Sequence, residues 1–152
     1  MKLAEALVLR ADLQTRLAQM RTRLTQSALD QEGEQPPENP IELLVELAQM
    51  LAQLQDLVAC INKTNLQAHL PDGTTLTDAL AQRDILSQHH SIISELANTA
   101  SNRIERYGRS EIRKLATVDV ATLRRQLDEL ARQRRELDTS IQATNWTIDL
   151  LE

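Results

Sequence analysis

The 152-residue chain has almost no aromatic residues: one Trp, one Tyr and no Phe, 1 % of the sequence. Aliphatic side chains must therefore supply nearly all the core volume, which suits close helix pairs better than a broad sandwich. Glycine is nearly as scarce, at three residues, too few for a fold rich in tight turns. A single cysteine, Cys60, excludes an intrachain disulfide and reads as a small packing residue beside Ile61. No window reaches the roughly 18 uninterrupted apolar residues of a membrane span. The apolar stretch from Leu3 to Leu9 is broken by Glu5 and followed by Arg10 and Asp12, so it lacks a signal-peptide core. The expectation is a soluble, cytoplasmic protein.

What is present is a rhythm. Aliphatic residues recur at alternating three- and four-residue steps, as in Leu44, Leu47, Leu51, Leu54, Val58 and Ile61, and again in Val120, Leu123, Leu127, Leu130, Leu137, Ile141 and Ile148. Such spacing puts apolar side chains along one side of a helix, and those stripes must meet one another. A first helix is predicted over residues 2–29, with Leu3, Leu13, Leu17, Met20 and Leu24 on its buried stripe. The acidic, proline-bearing segment 30–39 stops it. A second runs over 40–64, with Asn39 as N-cap and Pro40 as first helical residue. Pro71, Asp72 and Gly73 then make a turn, read as a small β-hairpin or a tight extended loop. A third helix, capped by Thr77, covers 77–107 and ends at Gly108. After an extended stretch to Val118, Asp119 caps a fourth over 119–151. The predicted fold is all-α, one domain over residues 1–152: an antiparallel four-helix bundle of coiled-coil-like helices with a small β-hairpin or extended segment. In an up-down-up-down order the chain start, the Leu66–Leu76 segment and the chain end share one end.

Charge is unevenly placed. Residues 1–30 carry five basic and three acidic groups; residues 31–75 carry one basic and seven acidic. Opposite nets on neighbouring antiparallel segments favour their pairing. Basic residues cluster at Arg103, Arg106, Arg109, Arg113 and Lys114, but residues 106–152 hold nine basic and eight acidic groups. No aromatic platform accompanies them, so solvated, paired charge is preferred to a nucleic-acid site, with the acidic linker a candidate to neutralise Arg106 to Lys114.

Four groups could carry chemistry. Asn62, Asn65 and His69 leave the second helix as Asn145 and Trp146 leave the fourth. An indole beside amides can hold a planar ligand, so Asn62, Asn65, Asn145 and Trp146 are the candidate ligand-binding residues. The alternative is that these amides fix register and cap the apolar seam. His89 and His90 are adjacent and diverge around a helix, so with His69 and Asp84 they make no chelating set, and no metal is expected. Glu38, Glu42 and Glu46 resemble the carboxylate face of helical Mg²⁺-dependent nucleotide pyrophosphatases, but the paired-carboxylate motif is missing. No phosphate loop or nucleophile-base set is recognisable, so neither a cofactor nor an enzyme is expected.

The segments MKLAEALVLRADLQTRLAQMRTRL, INKTN (61–65), DGTTLTDALAQRD (72–84), YGRSEI (107–112), TVDV (117–120) and LDTSIQATNWT (137–147) resemble a family of small bacterial proteins, many of which carry the label septicolysin. That label implies a secreted, membrane-damaging toxin; the charged helix faces and absent signal peptide argue against it. The expectation is a non-enzymatic protein-interaction module that forms a homo-oligomer through aliphatic helix faces, with membrane activity, nucleic-acid binding or small-ligand binding as alternatives.

Overall fold

The computed structural model describes residues 1–101 and 115–152, and among them every regular element is a helix: α1 (Leu3–Gln26), α2 (Pro40–Gln67), α3 (Leu76–Ser101) and α4 (Val120–Thr147). The expected ending of the third helix at Gly108, and the basic run from Arg103 to Lys114, lie outside the described residues. The chain divides into two compact units, residues 1–69 with 142–152, and residues 70–141.

In the first unit α1 packs on α2. Met20, Leu43 and Met50 form a buried cluster flanked by Leu17, Leu24 and Leu47. Met20 lies near the end of α1 and Leu43 near the start of α2, so the two helices run antiparallel. Leu13, Leu57 and Ile61 continue the core. Asn39 caps α2 as its sequence predicts: its Oδ1 accepts from the Ile41 amide at 3.0 Å, and Pro40 occupies a position where no amide is needed. The helix continues to Gln67, three residues past the expected Thr64.

The apolar stripe of α2 is a correction to the sequence reading. Its buried face is Leu43, Met50, Leu57, Ile61 and Thr64. Leu44 and Leu51, predicted to be buried, are 54 % and 49 % exposed. Residues 41–54, IELLVELAQMLAQL, are aliphatic on nearly every side, so spacing alone cannot choose a phase. The contacts offered by α1 choose it.

The chain ends meet in the first unit. Lys2 and Asp149 form an antiparallel bridge, with the Leu3 amide donating to Ile148 O at 3.0 Å and the Leu150 amide donating to Met1 O at 2.8 Å. The Lys2 ammonium reaches Asp149 at 2.9 Å and Thr147 O at 3.0 Å. Glu5 accepts from the Lys2 amide at 2.7 Å and so satisfies one donor at the start of α1. This pairing takes the chain out of the helix after Thr147, four residues before the expected end. The shared location of chain start and chain end follows the up-down order read from the sequence.

In the second unit, Leu70–Gly73 is a turn closed by the Gly73 amide on Leu70 O at 2.9 Å, with Gly73 at φ +87°. The Leu70 amide donates to Thr74 O at 2.8 Å, but no hairpin strands form among the described residues; the segment is the tight loop, not the β-hairpin. Thr75, rather than Thr77, caps α3: its Oγ1 accepts from the Asp78 amide at 3.1 Å. Asp119 caps α4 as expected, accepting from the Ala121 amide at 3.1 Å and the Thr122 hydroxyl at 2.6 Å, which holds its carboxyl below the usual range. Arg83 of α3 stands 3.9 Å from Asp138 of α4.

Candidate functional site

The outward side of α2 is the least ordinary surface in the first unit. At about 100° per residue, Leu43, Met50 and Leu57 fall within about 40° of one another, facing α1. Ile41, Leu44, Val45, Ala48, Leu51 and Ala52 fall within about 120° on the opposite side. Ile41 is 73 % exposed and Val45 56 %, and both alanines are exposed too. None of these six side chains carries charge. By length and composition, though not by an unbroken apolar run, α2 is apolar enough to cross a membrane. Sequence periodicity missed this second face because it assigned Leu44 and Leu51 to the core.

Charge borders the strip instead of interrupting it. Arg23 of α1 clamps Glu38 through two bonds, Nη2 to Oε1 at 2.6 Å and Nε to Oε2 at 2.9 Å, and approaches Glu46 at 3.4 Å. The bidentate contact lowers the Glu38 carboxyl and raises the Arg23 guanidinium. Glu42 accepts from Asn39 Nδ2 at 3.3 Å. The three glutamates thus tie the linker and the start of α2 to α1 and to the helix cap. The expected neutralisation of Arg106 to Lys114 by this linker falls on residues outside the described set. No cluster of three or more potential metal-ligating side chains occurs among the described residues.

The candidate ligand residues Asn62, Asn65, Asn145 and Trp146 all belong to the first unit. Asn62 is exposed and Asn65 half-buried on α2, while Asn145 is 5 % exposed and its neighbour Trp146 59 % exposed. Amide and indole at 145 and 146 therefore do not share one surface. The residue that joins the end of α2 to the chain end is Thr64. Its buried hydroxyl donates to Cys60 O at 2.8 Å and accepts from the Leu151 amide at 3.0 Å. The sequence signal for Thr64 was its place between the two asparagines on the buried phase. Cys60 is a free, half-buried thiol.

A different polar feature lies in the second unit. Ser87, His90, Ser91, Ser94 and Asn98 of α3, with Arg134 of α4, line an open groove of about 540 Å³. His90 faces this groove while His89 is exposed, so the two histidines diverge as their adjacency requires. Arg134 is 4.0 Å from Asp138. Ser87, His90, Ser91 and Ser94 make this part of α3 the polar wall of the groove.

Comparison with known proteins places the chain. A family pattern described as a family of unknown function, DUF6847, matches residues 10–150. The chain belongs to that family. A search of curated proteins returns no match. Among solved structures, the chain is similar to a functionally unknown conserved protein from Corynebacterium diphtheriae, at 42 % identity and a TM-score of 0.93, covering 99 % of each chain. The all-α fold of this DUF6847 chain is therefore shared with a protein that differs from it at more than half of its positions. The septicolysin label is a correction: neither the family nor the neighbouring structure carries it.

Proposed function

We propose that this DUF6847 protein is a non-enzymatic interaction module that self-associates through an aliphatic helix face. One observation carries the reading: α2 has two apolar faces, and only one of them is used by α1. The outward strip, from Ile41 to Ala52, is about 17 Å long at 1.5 Å per residue and about 10 Å wide, on the order of 170 Å². Burying such a strip removes its aliphatic side chains from water at about 25 cal/mol per Å². The catalytic alternative based on paired carboxylates has less support, because Glu38 and Glu46 are engaged by Arg23.

Light scattering during gel filtration, over a hundredfold range of loading concentration, tests this. The expected outcome is a mass that rises with concentration from that of the 17.2 kDa chain. A mass fixed at one chain throughout would end the self-association reading.

A further inference from the structure

Past Thr147 the chain leaves α4 and crosses to the ends of two other helices, α1 at Lys2 and Leu3 and α2 at Thr64. We infer that residues 148–152 are a strap over these two helix ends, latched by the Thr64 hydroxyl and able to open while the helices stay folded.

The latch follows from the single proton of a hydroxyl. Thr64 is fully buried and continues the buried face of α2 after Leu57 and Ile61, where an aliphatic side chain would pack as well. Its hydroxyl donates to Cys60 O at 2.8 Å, inside its own helix, and so commits its one proton there. The hydroxyl oxygen keeps an acceptor site, and the Leu151 amide donates to it at 3.0 Å. Valine at this position would hold nearly the same volume, and Cys60 O would keep its helical bond from the backbone amide of residue 64. What valine removes is the acceptor for the strap.

The other ties of the strap are few and wet. The Leu3 amide donates to Ile148 O at 3.0 Å and the Leu150 amide to Met1 O at 2.8 Å. Lys2 and Asp149 are both exposed, so their ion pair adds little. Within the strap Asp149, Leu151 and Glu152 are exposed, and Ile148 and Leu150 are only half-buried. The buried cluster of Met20, Leu43 and Met50 includes none of these residues. A segment with little apolar burial and exposed backbone bonds opens at low free energy while the packed helices remain closed. Opening uncovers Leu3 and Thr64, both fully buried beside the closed strap.

Amide hydrogen exchange followed by NMR at pH 7 tests the device. In the wild type the Leu3, Leu150 and Leu151 amides should exchange at least a hundredfold faster than those of Met50 and Leu57, after correction for intrinsic rates. Exchange of the strap amides in step with Met50 would leave only opening of the whole unit and overturn the inference. Thr64→Val should speed Leu151 about fivefold relative to Met50, the ordinary net effect of one hydrogen bond. Thr64→Ser, which retains the acceptor, should keep the wild-type ratio. An unchanged ratio in Thr64→Val, or a Thr64→Ser chain as fast as Thr64→Val, removes the latch and overturns the inference. The wild-type comparison depends on no variant, and Lys2→Gln leaves the buried residues untouched. That variant should change the Leu151 ratio less than twofold; a fivefold change would make the ion pair the latch in place of Thr64.

Discussion

Two helices of equal length, α2 and α4, each span 28 residues, and their outward faces are finished differently. On α4 the exposed side is a ladder of paired charge: Arg132 reaches Glu129 at 2.7 Å and Glu136 at 2.7 Å, and Gln133 donates to Glu129 at 2.8 Å. These bonds, Arg132 first and Gln133 second, lower the Glu129 carboxyl to about 2. On α2 the exposed side from Ile41 to Ala52 is aliphatic, and Glu38 and Glu46 beside it turn back to Arg23. A charged, hydrated face asks nothing of another surface. An exposed row of aliphatic side chains does, and the proposed self-association rests on that contrast.

The comparison is broken most severely from inside. Met50→Ala or Leu43→Ala removes a side chain from the α1–α2 core and should destabilise the chain by about 2–5 kcal/mol, measured by urea unfolding. Leu51→Ala, on the outward face, should cost less than about 1 kcal/mol in a dilute, monomeric sample. Equal effects at Met50 and Leu51 would mean the two faces had been confused. Next in size is the cap: Asn39→Ala should destabilise by about 1 kcal/mol, through loss of the bond to the Ile41 amide. Charge effects are smaller. Raising salt should loosen the Arg132 pairs but leave dimerisation within a factor of two, because surface ion pairs are screened and an apolar face is not.

Acid sharpens the same contrast. Glu38, Asp119 and Asp149 are held below their ordinary values by Arg23, by Thr122 and by Lys2 respectively. A lowered folded-state value means the unfolded chain binds protons more readily. The stabilisation is therefore complete above the ordinary carboxylate range, near pH 4–4.5, and is lost as pH falls through the lowered values. Thermal melts should be flat from pH 7 to about 5 and fall below it. Arg23→Gln should flatten the part of that acid loss due to Glu38.

Much of the fold was legible because its signals are local. Asn39 with Pro40, Asp119 before Val120, and the Pro71-Asp72-Gly73 turn each act within a few residues, and the sequence reading of each stands. The cap of α3 was misplaced by two residues because Thr75 and Thr77 both suit the role and only the loop geometry separates them. What was not legible depends on residues far apart in sequence. Arg23 meeting Glu38, Thr64 receiving Leu151, and Lys2 pairing with Asp149 have no spacing signature. The phase of α2 belongs here too: its aliphatic residues satisfy two stripes, and only α1 decides which is core. The outward face, where the proposed function resides, was hidden by that ambiguity.

The most direct measurement is the dimer dissociation constant by sedimentation equilibrium for three chains: wild type, Leu44→Glu, and Arg125→Glu on the exposed face of α4. The account predicts that Leu44→Glu weakens association at least tenfold while Arg125→Glu stays within twofold of wild type. Equal loss in both variants, or a dimer indifferent to Leu44→Glu, would contradict it.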